Sequence, residues 1–246
     1  MAESRNKAFS LEYPGRLIAI GRDTSGLYNV VIYAITGRSS SSQARKLEME
    51  KDTLWVKPTD KDIIKTGNIE LLIYPSVFVL EQGLAVSNGK HTVDIMASLG
   101  HSENASEVLG FSLQKWDYEP DEPNYTPRIS GCVLRSGSAA LSLIKRSKGG
   151  QSSRSIFEFP LEPGEGSCIS TYSGVNRDPL PSYVGEPLTV DLNENDPQHM
   201  AEGVYEAMGP EEGKPDYRVA VACIFSLCEK PEEFQFSIIN RSERNK

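Results

Sequence analysis

The sequence predicts an α+β protein whose sheets are largely antiparallel. Most of its apolar segments are short, rich in Val, Ile and aromatic residues, and bounded by Gly, Asn, Asp or Pro, as strands are. Helical periodicity occurs in three places only, two midway and one late. Helices are thus inserted into a run of strands and should gather on the outer faces of the sheets.

The first strand candidates are 16–21 and 28–36, with the turn residues Asp23-Thr24-Ser25-Gly26 between them. Strand patterns continue at 53–57, 70–74, 77–80 and 84–87, where Asn88-Gly89 marks a turn. A helix is expected over 92–99. A second spans 104–116, with Asn104 placed to cap it and Val108, Leu109, Phe111, Leu113 and Trp116 along an apolar face. Strands follow at 128–135, 139–146, 155–160 and 167–172. The stretch 174–195, rich in Pro, Asn and Asp, reads as a long surface excursion, a kind of loop that is uncommon unless functional or disordered. Asp196 as N-cap and Pro197 at the first helical position predict a helix over 197–208. Strands at 218–227 and 234–240 complete the pattern. No repeat or linker divides the chain, so one domain over 1–246 is expected, with 1–11 a flexible N-terminal extension.

With 246 residues, 38% of them hydrophobic and 24% charged, the chain can bury a substantial core. The net charge is -8 and the densest basic cluster is only Lys145-Arg146 with Lys148, which disfavours a nucleic-acid surface. A small anion needs only a few cations and is not excluded. No apolar run has the length of a membrane span, and Met1 to Lys7 lacks the apolar core of a signal peptide. A cytoplasmic protein without a membrane partner is the expectation; a homo-oligomer stays open. Four widely spaced cysteines read as buried free thiols in a reducing compartment. Three histidines without HxH or HExxH spacing give no metal site.

The segment from Trp116 to Ile129 crowds four carboxylates, three prolines, three aromatics and an arginine between a helix pattern and a strand pattern. Prolines stiffen the path of the chain, and carboxylates held close raise one another's pKa, as proton transfer near neutral pH requires. A solvated acidic loop closed by Arg128 is the plainer reading. Gly37-Arg38 followed by Ser39 to Ser42 and Arg45 offers hydroxyls and guanidiniums suited to a phosphate, or an ordinary polar turn. Ser87-Asn88-Gly89-Lys90-His91-Thr92 sets polar groups at a strand-to-helix turn. Tyr74 is read as ending the strand 70–74 directly before Pro75, where it packs or donates a hydrogen bond into a cleft.

Together with Tyr13-Pro14-Gly15-Arg16, Thr36-Gly37-Arg38-Ser39, Gly110-Phe111-Ser112-Leu113, Asp117-Tyr118-Glu119, Thr126-Pro127-Arg128-Ile129 and Ile169-Ser170-Thr171-Tyr172, this order of motifs resembles the archaeal-type IMP cyclohydrolases. The resemblance covers residues 12 to 175 well and the later third loosely. It implies the four-layer αββα sandwich of the N-terminal-nucleophile hydrolases, used without autoproteolysis; Ala2, exposed by Met removal, would be no nucleophile. It also implies closure of the purine ring of 5-formamidoimidazole-4-carboxamide ribonucleotide, with loss of water to inosine monophosphate and no cofactor. Two alternatives stay open: a non-catalytic module binding a purine or ribosyl phosphate, and an amide hydrolase on the same fold. The second lacks an N-terminal Cys, Ser or Thr. The first needs neither Tyr74 nor Glu119.

By resemblance, Glu119, Tyr74 and Arg38 hold the catalytic positions, Arg38 as the strand-end arginine. The neighbours Asp117, Asp121 and Glu122 are expected to hold the Glu119 pKa up. Substrate contacts are expected from Arg16, Ser39, Asn88 and Lys90, and from Asp117, Asn124 and Arg128. Arg45 matches a second active-site arginine if its loop carries a small insertion. Two departures stand out: one extra residue in Asn124-Tyr125-Thr126-Pro127, and Ser40-Ser41-Ser42 where a bulkier, Pro-containing loop belongs.

Overall fold

A computed structural model describes residues 7–60 and 73–244. Strands β1 (Arg16–Arg22) and β2 (Tyr28–Thr36) are followed by a one-turn helix, α1 (Ser40–Gln43), and by β3 (Arg45–Glu50) and β4 (Thr53–Pro58). Next come β5 (Tyr74–Leu80), β6 (Gly83–Ser87), helices α2 (Thr92–Ser98) and α3 (Ala105–Ser112), then β7 (Arg128–Leu134), β8 (Ala139–Arg146) and β9 (Ser152–Glu158). The remainder is β10 (Glu165–Ser170), β11 (Leu188–Asp191), α4 (Pro197–Ala207), β12 (Arg218–Leu227), β13 (Phe234–Asn240) and a last turn, α5 (Arg241–Arg244).

The strands form two sheets with antiparallel pairing throughout. One is a seven-stranded meander in chain order, β3-β4-β5-β6-β7-β8-β9. The other runs β11-β10-β1-β2-β12-β13, so its centre is the β1–β2 hairpin and its flanks come from the end of the chain. Alternate residues of the central strands enter different cores. Ile18, Ile20, Val31, Tyr33 and Ile35 face Leu84, Val86, Ile129, Val133 and Leu141 of the meander. Their neighbours Leu17, Ala19, Val30 and Ile32 pack with Met200, Val204 and Tyr205 of α4. On the far side Ala85, Cys132 and Ala140 meet Ile95, Val108 and Leu109 of α2 and α3. The layers therefore run helix, sheet, sheet, helix. Burial on both faces explains the near-continuous apolar runs of β1, β2 and β12.

Several boundaries differ from the sequence reading. The helix at 104–116 stops at Ser112, after Asn104 caps it by accepting from the Ser106 and Glu107 amides. Strand β3 was not anticipated, because Arg45-Lys46-Leu47-Glu48-Met49-Glu50 turns mostly charged groups outward from a sheet edge. Strand β11 lies inside the expected surface excursion. Tyr74 begins β5 instead of ending a strand, and residues 70–72 of that expected strand lie outside the described ones. Within the expected N-terminal extension, Ala8 and Phe9 are buried in the α4 core. Residues 1–6 lie outside the described ones. Cys132, Cys168 and Cys223 are buried free thiols and Cys228 is half-buried. No helix of the described residues is long and apolar enough to cross a membrane.

At one edge a single side chain ties the sheets together. Asn240, at the end of β13, accepts from the Leu47 amide of β3 (2.8 Å) and donates to its carbonyl (3.0 Å). The carboxamide thus pairs with edge-strand backbone as another strand would. Asn240→Ala would leave both Leu47 groups buried without partners, at about 1–3 kcal/mol each before relaxation. Chemical denaturation should show a loss of about 2–4 kcal/mol. Asn240→Asp should not restore it, because a carboxylate cannot donate to the Leu47 carbonyl. A variant as stable as the parent would mean that water satisfies the edge equally well.

Candidate active site

One end of the inter-sheet core opens into a cleft of about 520 Å³, a size suited to a nucleotide-sized ligand. Five cationic side chains line it, Arg16, Arg38, Arg45, Lys90 and Arg128, against two carboxylates, Glu119 and Asp121. In a chain of net charge -8 this concentration of positive charge is local to the cleft.

Arg16 enters at the start of β1. Its approach depends on Gly15, whose φ is +76° and where a Cβ would lie 2.2 Å from Thr171 Oγ1. With no side chain there, Thr171 accepts from the Arg16 amide (2.9 Å) and donates to the Pro14 carbonyl (2.9 Å). Arg16 Nε then donates to the Tyr74 hydroxyl (3.5 Å). Tyr74 is 2% exposed, and its hydroxyl lies 3.0 Å from that of Tyr33, on the neighbouring sheet. The Thr92 hydroxyl donates to the Pro75 carbonyl (2.7 Å) and fixes the chain beside Tyr74.

Arg45, at the start of β3, is 4% exposed. Its Nε donates to the Ser42 carbonyl (2.9 Å), and no carboxylate of the described residues pairs with it. Burial, then the nearby Arg16, lowers its pKa to about 10. Its guanidinium remains charged at neutral pH.

Glu119 is 8% exposed, held by its amide's bond to the Thr126 carbonyl (2.9 Å). One carboxylate oxygen lies 3.4 Å from Arg128 Nη1. Arg128 in turn donates to the Asp117 carbonyl (2.7 Å) and lies over the Trp116 ring, 4.8 Å from its centroid. Burial raises the Glu119 pKa above the ordinary carboxyl value, against the opposing pull of Arg128 and Arg16. This corrects the expected cause: the acidic neighbours contribute little beyond Asp121. That residue accepts from the Thr126 amide (2.6 Å) and hydroxyl (2.5 Å), and Thr126 accepts from Tyr172 (2.7 Å).

The cleft brings together Glu119, Tyr74 and Arg38 with Arg16, Ser39, Arg45, Asn88, Lys90, Asn124 and Arg128. Asp117 is the exception. Its carboxylate turns outward to Ser152 (2.7 Å) and Arg154 (3.1 Å), and only its backbone serves the site. Others line the cleft with hydrogen-bonding groups already engaged. Asn88 Oδ1 accepts from the Ile129 amide (2.9 Å) and its Nδ2 donates to the Pro127 carbonyl (2.9 Å), pinning the start of β7. Asn124 Oδ1 accepts from the Leu180 amide (3.1 Å), and Ser39 caps α1 in a reciprocal box with Ser42. Arg38 stands at the mouth over the Tyr13 ring, bonded to Asn176 (3.0 Å) and Asp178 (2.9 Å). His91 is buried, with a pKa lowered to about 3 by burial and by Arg128, and faces Trp116 instead of the cleft.

Sequence reasoning gave no role to Tyr13, Trp116, Thr126, Tyr172 or Leu180, all on the cleft wall. The first four lie within motifs it quoted or in the acidic segment, so the signal was present. Leu180 comes from the long 174–195 stretch, whose length was itself the clue. Among the described residues no three His, Cys, Asp or Glu side chains gather as a metal centre requires.

Several known proteins are similar to this chain. An IMP cyclohydrolase of Methanothrix thermoacetophila is 27% identical over 169 residues, 68% of this chain and 78% of that protein. One from Methanococcus maripaludis strain C6 is 27% identical over 164 residues, 67% of this chain and 76% of the relative. One from Methanocaldococcus jannaschii is 29% identical over 121 residues, 49% of this chain and 56% of the relative. The family model described as IMP cyclohydrolase-like protein matches residues 13–225, which include every cleft residue, and the chain belongs to that family.

Proposed function

We propose that this chain is an IMP cyclohydrolase, which closes the purine ring of 5-formamidoimidazole-4-carboxamide ribonucleotide and releases water and inosine monophosphate. The observation that carries the reading is a buried carboxyl with a raised pKa, Glu119, sharing a cation-lined cleft with a buried phenol, Tyr74. Binding an anion needs the arginines; it does not need those two groups. The layer order supports an N-terminal-nucleophile-hydrolase-like sandwich whose working groups lie within the chain.

Both reacting groups belong to one molecule, so holding the carboxamide nitrogen against the formyl carbon removes much of the barrier. Attack forms the C–N bond and puts negative charge on the formyl oxygen, where Tyr74 donates a hydrogen bond. Glu119 takes a proton from the carboxamide nitrogen and delivers it to that oxygen, giving the carbinolamine. The same carboxylate then moves the N–H proton of the former formamido nitrogen to the departing hydroxyl. Water leaves and the C=N bond forms. Arg38 and Arg45, with the Ser41 hydroxyl and with Lys90 at the rim, hold the phosphate; Arg16 and Arg128 fix Tyr74 and Glu119.

The test is to incubate the purified protein with the formamido nucleotide and follow purine absorbance. Glu119→Gln should lower turnover by about two orders of magnitude or more with binding little changed. As a base Glu119 must be ionised, so the parent rate should fall toward acid through a pKa above the ordinary carboxyl value, and the Gln variant should lose that limb. Stability runs the other way. A carboxyl with a raised folded pKa stabilises fully below its unfolded pKa and loses that contribution as pH rises through the folded one. Glu119→Gln should therefore melt higher than the parent at pH 7, with the gap closing toward pH 4.

Tyr74→Phe keeps the packing and deletes the hydroxyl. It should lose about 2–4 kcal/mol of transition-state stabilisation with its melting temperature nearly intact. A stability loss at an unchanged rate would make Tyr74 a core residue only. Arg38→Ala should raise KM with kcat little changed, as loss of a contact made equally in ground and transition states does. A fall in kcat at constant KM would place Arg38 at the reacting atoms instead.

A further inference from the structure

We infer that Tyr33, which does not line the cleft, is a positioning residue that aims the Tyr74 hydroxyl proton at the substrate. The inference rests on the cyclohydrolase reading of Tyr74 and adds a residue to it.

The argument is one of hydrogen-bond polarity. Tyr33 lies mid-strand in β2, is wholly buried, and packs among Ile18, Ile35 and Val86 in the inter-sheet core. Among the described residues its hydroxyl has one partner, the Tyr74 hydroxyl at 3.0 Å. A buried O–H without an acceptor is costly, so the Tyr33 proton must lie toward Tyr74. Were the direction reversed, Tyr33 would accept from Tyr74 and its own proton would point into hydrocarbon. The second contact to Tyr74 has a fixed direction, because Arg16 Nε can only donate, and it does so at 3.5 Å.

Tyr74 oxygen thus accepts from two donors on the β1–β2 hairpin. Among the described residues its own proton has no acceptor, which leaves it the cleft that Tyr74 lines and Tyr33 does not. Two donors on one phenol oxygen also polarise its O–H and strengthen the bond it gives. Burial holds the Tyr33 phenol pKa well above the ordinary value, so Tyr33 keeps the proton it donates. A tyrosine within the otherwise apolar run 30–35, where Phe would pack as well, is accounted for by that one hydroxyl.

The test is a double-mutant cycle of Tyr33→Phe and Tyr74→Phe, with kcat, KM and melting temperature measured for all four proteins. Loss of one neutral hydrogen bond to Tyr74 should lower kcat about five- to tenfold in Tyr33→Phe, with KM unchanged. In the Tyr74→Phe background the same substitution should cost nothing further, because the group it aims is gone. Equal losses in both backgrounds would overturn the inference, since Tyr33 would then act on the structure at large. So would a normal rate in Tyr33→Phe while Tyr74→Phe is slow, which leaves the role of Tyr74 standing. A normal rate in Tyr74→Phe would remove that role and the inference together.

Discussion

The central strands of each sheet are buried on both faces, one sheet against helix α4, the other against α2 and α3, and both against each other. Such packing admits almost no charge along those strands and leaves polar chemistry only their ends. Arg16, Arg45, Tyr74 and Arg128 are each the first residue of a strand, and all four meet at one end of the sandwich. The cleft is the place where the apolar interior stops and charged groups inherit its shelter from water.

That shelter sets the electrostatics. Arg16 lies close enough to Arg45 to disfavour its charge, and Arg45 has no carboxylate partner among the described residues. A buried cation without a counter-charge is costly, and on the proposed reading the substrate phosphate would supply what the protein omits. Glu119 is the converse case. Arg128 stands beside it at 3.4 Å, yet burial outweighs that pairing and keeps the carboxyl readier to hold a proton than a surface glutamate. A shorter, bidentate bridge would pull the pKa down and spoil the group as a base near neutrality.

Much of the fold was legible in the sequence because apolar runs and turn residues mark strands well, and the caps Asn104 and Asp196 stand where helices begin. Strand β3 was hidden because an edge strand needs few apolar residues, and of its six only Leu47 is buried in the core, with Met49 packed partly against it. Tyr74 was set at the wrong end of its strand because residues 71–74 form one apolar run, after which Pro75 looks like a stop. The site residues were legible as motifs, but their environment was not. Asp117 and Glu119 are two positions apart and face opposite ways, one to Arg154 at the surface and the other into the cleft. Chain neighbours suggested that acids raise the Glu119 pKa; burial does so, and burial belongs to the tertiary fold. The meeting of Tyr33 with Tyr74 joins strands of different sheets and has no local signature.

The two sheets also differ in how far along the chain their partners lie. The meander from β3 to β9 joins each strand to the next, whereas the other sheet joins β1 to β10 and β2 to β12 across well over a hundred residues. Loop closure makes such distant pairings slow relative to local ones. Arg16 belongs to the long-range sheet, while Tyr74 and Glu119 belong to the meander and the segment it encloses. A nascent or partly unfolded chain can hold a complete meander and still lack a cleft. Nucleotide affinity in this protein is thus a reporter of finished assembly, available only to molecules in which the first strand and the last third of the chain have found each other.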